Sequence, residues 1–424
     1  MVRFLAAAFI AGSVALAADA TTAPVTFNKD ILPILQKNCQ GCHRPGEIGP
    51  MSFLTYESTR PWAKAMKAAV VSRKMPPWFA DPRYGHFANE RRLSDRDLQK
   101  IVAWVDAGAP EGAVKDKPAP TQWTEGWNIR PDSIFQMPDP YTVPATGTLD
   151  YIYIVIPTGF TRDTWVTAAE VRPSARSVVH HVIAVVRPRG SPWMKDAKPL
   201  VPYIPPAQSR EGEPDANDPG SEPVNVSYEL LAAYSPGMQP QRFDIDHSAK
   251  LIPAGSDIVV QVHYTPNGKM SIEDQTRVGI TLAKEAPPKR FFSAVANASH
   301  WAIPPGDANY EAHGSLTFGE PVELVFLQPH MHLRGKDMTI RLVYPAGKSE
   351  TLLSVPHYDF NWQIAYYLDK PLQLPKGTRV EVTAHWDNSA NNPNNPDPTK
   401  TVKWGDQSSD EMLSLPMGVI IDRD

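Results

Sequence analysis

Val322-Glu323-Leu324-Val325-Phe326-Leu327 runs without a break into Gln328-Pro329-His330-Met331-His332-Leu333-Arg334-Gly335. The first six residues are apolar apart from Glu323, and partly β-branched, which is the composition of a buried strand. Residues two apart on a strand share a face. His330 and His332 can therefore turn two imidazoles toward one ion, while Met331 points to the other side. Two His on one face also occur as a solvated polar pair, so this stretch alone leaves a metal open.

The strand reading extends over most of the chain. From about Pro138 onward, short apolar or alternating runs recur: Tyr151 to Ile156, Val178 to Val186, Ile258 to Tyr264, Val278 to Leu282, Thr339 to Val343 and Arg379 to Ala384. Clusters of Pro, Gly, Asn and Asp separate them, and Pro (44) outnumbers Gly (25), which suits short strands joined by ordered turns. The pattern predicts all-β sandwiches or jelly rolls. Roughly 290 residues are too many for one sandwich, so two are expected. They divide at Ala286-Pro287-Pro288-Lys289, giving 138–286 and 287–424. The stretch Pro188 to Gly237 reads as a loop-rich insert, a length that in a compact domain is functional or mobile.

The N-terminus has the layout of a secretory signal. Arg3 is followed by an apolar core from Phe4 to Ala18 and by small residues that offer cleavage near Ala17 or Ala20. No later run is long enough to span a bilayer, so stable membrane insertion is not expected, and residues 1–20 mark the chain for the periplasm or for secretion. A formal charge of −4 with no basic block gives no footprint for nucleic acid.

The chain has two cysteines, and both stand in Cys39-Gln40-Gly41-Cys42-His43. An exported chain of this size with no others has no disulfide framework. C-x-x-C-H is the covalent haem attachment motif: two thioethers fix the porphyrin and His43 becomes the proximal ligand. A redox dithiol would need a βαβ context that is absent here. Asn28 to Asn38 reads as a short helix leading into the motif. Leu98 to Ala107 reads as a second helix, after Ser94-x-x-Asp97, a capping-box pattern. Helix, motif, long loop and terminal helix resemble a small all-α cytochrome c domain over 21–115, followed by a linker at 116–137. Met75, in Lys74-Met75-Pro76-Pro77-Trp78, is the expected sixth ligand, with Met51, Met66 and His86 as alternatives.

Further histidines lie in the two expected sandwiches. His180-His181 opens the run Val178 to Val186, where adjacent residues face opposite ways, so a shared ion needs a bulge, twist or strand end. His263 stands in Val260-Gln261-Val262-His263-Tyr264, and Met412 follows Ser408-Ser409-Asp410-Glu411. Together these motifs resemble the copper type II, ascorbate-dependent monooxygenases, the family of peptidylglycine α-hydroxylating monooxygenase and dopamine β-monooxygenase. The resemblance covers about 137–424, with the motifs in the family's order.

The resemblance implies two copper ions beside the one haem c. His180, His181 and His263 match the ligands of the electron-donating copper. His330, His332 and Met412 match those of the copper where O2 reacts. It implies hydroxylation of a C–H bond of a small organic substrate, with an ascorbate-like reductant or a redox protein as external donor. A fused haem can take over the relay of electrons. The ligand types agree: a thioether favours Cu(I), and three imidazoles suit both copper states. The family's peptide-amidating members place a substrate-binding Arg where this chain has Gln328, which speaks against a peptidylglycine substrate. The competing expectation is a periplasmic haem and copper electron carrier without oxygenase activity.

Overall fold

The computed structural model describes residues 24–124, 126–205, 229–298 and 300–423. The expected signal segment, residues 1–20, and residues 206–228 of the Pro-rich insert lie outside them. Among the described residues the chain is mostly β, with its α-helices gathered before residue 107. No helix there is long and apolar enough to cross a membrane.

The helical part packs Phe27, Leu35, Phe53, Met66, Val70, Ile101 and Trp104 into its own core. The expected first helix runs Phe27–Ile31 and then Leu32–Asn38. The terminal helix begins three residues earlier than expected, at Asp95–Asp106, because the Ser94 hydroxyl accepts the Asp97 N–H at 3.1 Å and caps it. The segment read as a long loop holds another helix, Ala63–Val71, which buries Ala63, Met66 and Val70 at helical spacing.

The loop that follows leaves the helical core. Trp78, Ala80 and Phe87 pack into the apolar core of the C-terminal β part. The Trp78 ring lies 4.9 Å from that of Tyr366, and Ala88 N–H donates to Tyr367 O. The helical part is thus pinned to residues nearly three hundred positions away, by aromatic burial that the linear pattern does not reveal.

Among the described residues the β part has two large cores and a smaller one around Tyr153, Val155 and Val185. One large core gathers Ile154, Val182, Val260 and Ile280; the other gathers Leu324, Ile340, Val382 and Val419. The backbone does not separate them at Lys289. Lys289–Ala298 pairs in parallel with Ser248–Ile252 and antiparallel with Leu413–Asp422, joining both halves in one thirteen-stranded sheet. The linker also ends earlier than expected. Ser133–Gln136 already pairs with Arg277–Leu282.

A separate antiparallel sheet is ordered Ile152–Pro157, Asp257–Tyr264, Val179–Arg187, Glu229–Tyr234. Its last strand comes out of the Pro188 to Gly237 insert. That insert therefore supplies structure on both sides of the undescribed residues.

Candidate functional site

His181 pairs across the sheet with His263, and the register shifts between Val179 and His181. That irregularity is the bulge the adjacent pair requires: the extra residue turns His180 onto the side of His181. The ring centroids of His180, His181 and His263 stand 5.0–5.3 Å from one another. One ligand nitrogen from each lies within 4.8 Å of the others, an arrangement that can hold a metal ion. His180 Nε2 and His263 Nδ1 are buried with no hydrogen-bond partner. A buried imidazole nitrogen without a partner costs stability unless something binds its lone pair.

His330 and His332 do not sit in a regular strand, as the periodicity predicts. The strand Val322–Leu327 ends before them, and His330 makes an isolated bridge to Ser414. Their rings are nonetheless 5.1 Å apart, and Met331 is fully buried in the C-terminal core. His330 Nδ1 lies 2.7 Å from Gln363 Oε1, and His332 Nδ1 lies 3.3 Å from Asp410 O. Both partners are acceptors, because the Gln363 amide nitrogen donates to Phe360 O. The proton therefore sits on Nδ1 in each ring, and each presents the Nε2 lone pair. His332 Nε2 is buried and unpartnered.

Met412 lies between Glu411 and the strand Leu413–Asp422, two residues before the Ser414 that pairs with His330. The backbone of Met412 is thus brought near the His330 bridge from 82 residues downstream.

Burial dominates the electrostatics. It holds His180 down to about 4 and His263 down to about 3, and it pushes His181, His330 and His332 below the usual imidazole range. All five rings are neutral at physiological pH, the state a metal ligand needs. The two sets share walls. The Tyr151 ring lies 4.6 Å from His263 and 6.5 Å from His332. Phe360 stacks on His180 at 5.2 Å and lies 6.0 Å from His332.

Arg334 is spoken for. Its guanidinium donates to Asn388 Oδ1 at 3.0 Å and Ser409 O at 2.9 Å, and it is buried. It does not replace the Arg that Gln328 lacks.

Cys39, Cys42 and His43 border a cavity of about 780 Å³. The motif is wound tightly, with His43 N–H donating to Cys39 O at 2.9 Å. His43 Nδ1 lies 3.3 Å from Met51 O, and the ring stacks on Phe53 at 4.5 Å, which leaves Nε2 as the ligand atom. Burial raises the Cys39 thiol to about 12, so neither acidity nor a disulfide activates it; both cysteines are free. Met75 borders the same cavity, as do Met51 and Met66. His86 does not: its backbone carbonyl accepts from Asp369, on the C-terminal β part. The far wall comes from the β part and includes Arg176, Tyr234, Gly237, Met238 and Trp362. The cavity mixes apolar walls with charged side chains such as Arg44, Arg91 and Arg176 and bears two thiols and an imidazole, so its donor set fits a covalently held haem.

Tyr151, Phe360, Gln363 and Glu411 were not legible as site residues. Tyr151 could have been sought, since it opens the expected run Tyr151 to Ile156, whose strand pairs with the one that carries His263. Nothing local marks Phe360 or Gln363.

No protein-family model matches the chain, and no curated protein matches it. Among solved structures it is similar to the infectious bursal disease virus Gx strain structure, at 8% identity over 68% of this chain and 72% of that one, with a TM-score of 0.19. The mavirus major capsid protein matches at 8% identity over 72% and 89%, with a TM-score of 0.16. At these scores neither carries an inference.

Proposed function

We propose that the chain is a copper-dependent monooxygenase that hydroxylates a C–H bond of a small organic substrate. In this reading the substrate, O2, two electrons and two protons give the alcohol and water. One observation carries it: two sets of buried neutral imidazoles, each with lone pairs left without partners, stand against the same two aromatic rings. Copper bound there would supply O2 activation and one-electron transfer.

His330, His332 and Met412 would hold the ion of the oxygen-reacting site, and His180, His181 and His263 the ion that stores an electron. Gln363 and the Asp410 carbonyl keep the two Nε2 atoms unprotonated, so no proton has to leave before binding. Tyr151 and Phe360 shield the site from bulk water, which protects reactive species from side reactions. The helical part would serve as a cytochrome c domain, in which Cys39 and Cys42 would anchor a haem through thioethers and His43 and Met75 would ligate its iron. It relays electrons from an external donor. The β parts serve as the two jelly-roll sandwiches of the family, and the protein works in the periplasm or outside the cell.

The test is a count of copper and haem per chain, with EPR for type II copper, followed by O2 uptake across a panel of small substrates. The expected result is two coppers, one haem and substrate-dependent uptake that Met412→Ala abolishes. Bound copper and haem without uptake on any substrate would instead favour an electron carrier.

A further inference from the structure

The five residues Asp359-Phe360-Asn361-Trp362-Gln363 form one turn, closed by Trp362 N–H donating to Asp359 O at 2.9 Å. Three of its side chains reach three different places. Phe360 stacks on His180. Trp362 forms part of the wall of the cavity that Cys39, Cys42 and His43 border. Gln363 accepts from His330 Nδ1 at 2.7 Å, and is itself buried.

The same turn is fastened to the floor of that cavity. Gln363 O accepts from Ser235 Oγ at 3.4 Å. Two residues on, Gly237 stands so close that an added Cβ would lie 3.4 Å from Cys42 Sγ and 2.8 Å from Arg91 Nη1. Arg91 in turn donates to Gly237 O. The strand end that holds the turn therefore also lies beside the attachment cysteine.

We propose that Trp362 and Gln363 form the route by which an electron leaves the haem cavity, and that it arrives first at the His330 side. This rests on the haem and copper reading above. Along this route a ferrous haem iron becomes ferric and a cupric ion becomes cuprous; one electron moves and no bond is made or broken. The external reductant then restores the ferrous state.

The geometry favours His330 over the His180 set. From Trp362 the path runs through one peptide bond, the Gln363 side chain and a short hydrogen bond into a ligand ring. Toward His180, the path must cross Asn361 and then a through-space contact between the Phe360 and His180 rings. Electronic coupling falls faster across van der Waals gaps than along bonds and hydrogen bonds. The alternative through Tyr234 crosses a strand ladder, pairing with Val182 beside His181, and offers no side-chain contact to an imidazole.

The experiment follows haem absorbance after rapid photoreduction of the haem in the full-length, haem- and copper-loaded protein, without O2 or substrate. Trp362→Leu and Gln363→Leu are each expected to slow haem re-oxidation at least about tenfold, a barrier rise of about 1.4 kcal/mol. Haem content, haem potential and copper count serve as controls. Trp362→Phe and Gln363→Glu, which keep an aromatic ring and an acceptor oxygen, are expected to restore most of the rate. Re-oxidation should survive in His181→Ala/His263→Ala and vanish in His330→Ala/His332→Ala. The reverse pattern, or a rate indifferent to Trp362 and Gln363, overturns the route alone. No haem re-oxidation in the wild type, with both groups bound, overturns the route together with the relay it rests on.

Discussion

Glu411 accepts the backbone N–H of His332 at 2.9 Å, from a position immediately before Met412. The same carboxylate takes the Arg334 N–H at 2.6 Å and the Trp386 indole N–H at 2.9 Å, and it is fully buried. One side chain thus ties the His-x-His segment to the segment that carries the thioether. Burial pushes Glu411 up to about 7, against three N–H donors and Arg334, which favour its charged form.

Replacing it tests that tie. Glu411→Leu strands three donors in the core and leaves Arg334 without the carboxylate that favours its charge most. The expected cost is about 3–5 kcal/mol, read by chemical denaturation. Glu411→Gln keeps an acceptor and is expected to lose much less. In the surviving protein, copper bound through His330 and His332 should weaken while copper at the His180 set stays, read as a fall in the metal count toward one.

The neutral imidazoles give the metal-free protein a particular pH response. His180 and His263 titrate near 4 and 3 when folded, whereas an unfolded His takes up its proton near 6.5. Between about 6.5 and 4 the unfolded chain therefore binds more protons than the folded one. Stability is present above pH 6.5 and falls as pH drops, by up to about 1.4 kcal/mol per pH unit for each such ring. Glu411, raised to about 7, and the raised His385 and Asp410 act the other way, gaining stability as pH falls, but they are three groups against six imidazoles held down, His43 included. Thermal scans of metal-free protein should show a falling midpoint across this window. A midpoint that stays level or rises would mean the rings are not held neutral.

Two glycines beside the cysteines separate local crowding from motif identity. An added Cβ at Gly49 would lie 2.6 Å from Cys42 O and 2.7 Å from His43 Nδ1, whereas at Gly41 it meets nothing within 4 Å. Gly49→Ala is expected to reduce covalent haem per chain, measured by absorbance after denaturing purification. Gly41→Ala, though inside the motif, is expected to load normally.

Trp78 anchors the helical part. Trp78→Ala removes a ring packed between Phe87 and Tyr366, with an expected loss of about 3–5 kcal/mol. Limited proteolysis should then release a fragment covering the helical residues, which the wild type resists.

Some of this was legible in the linear chain. Alternating or apolar runs located six of the seven expected strands within a residue or two, and the seventh, Gly335–Val343, four residues late at its start, because a pleated backbone alternates its faces whatever it packs against. Cys39, Cys42 and His43 were legible for the same reason: their spacing is set by one turn of backbone. The need for a bulge at His180-His181 also followed from alternation alone, and the register shift supplies it.

Other features depend on how distant segments meet. The sheet crosses Lys289 because a parallel pairing with Ser248 forms there, and no local pattern announces a partner strand. The loop with Trp78 and Phe87 looked like part of the helical domain, yet its apolar surface is buried on the C-terminal core. The turn from Asp359 to Gln363 carries no local motif. Only tertiary packing sets Phe360 on His180, Trp362 on the cavity wall and Gln363 on His330. The sequence by itself determined which side chains could bind metal or haem, since donor chemistry belongs to the residue. The tertiary structure decided which of them share a site and what lies between them, since that depends on contacts between residues far apart in the chain.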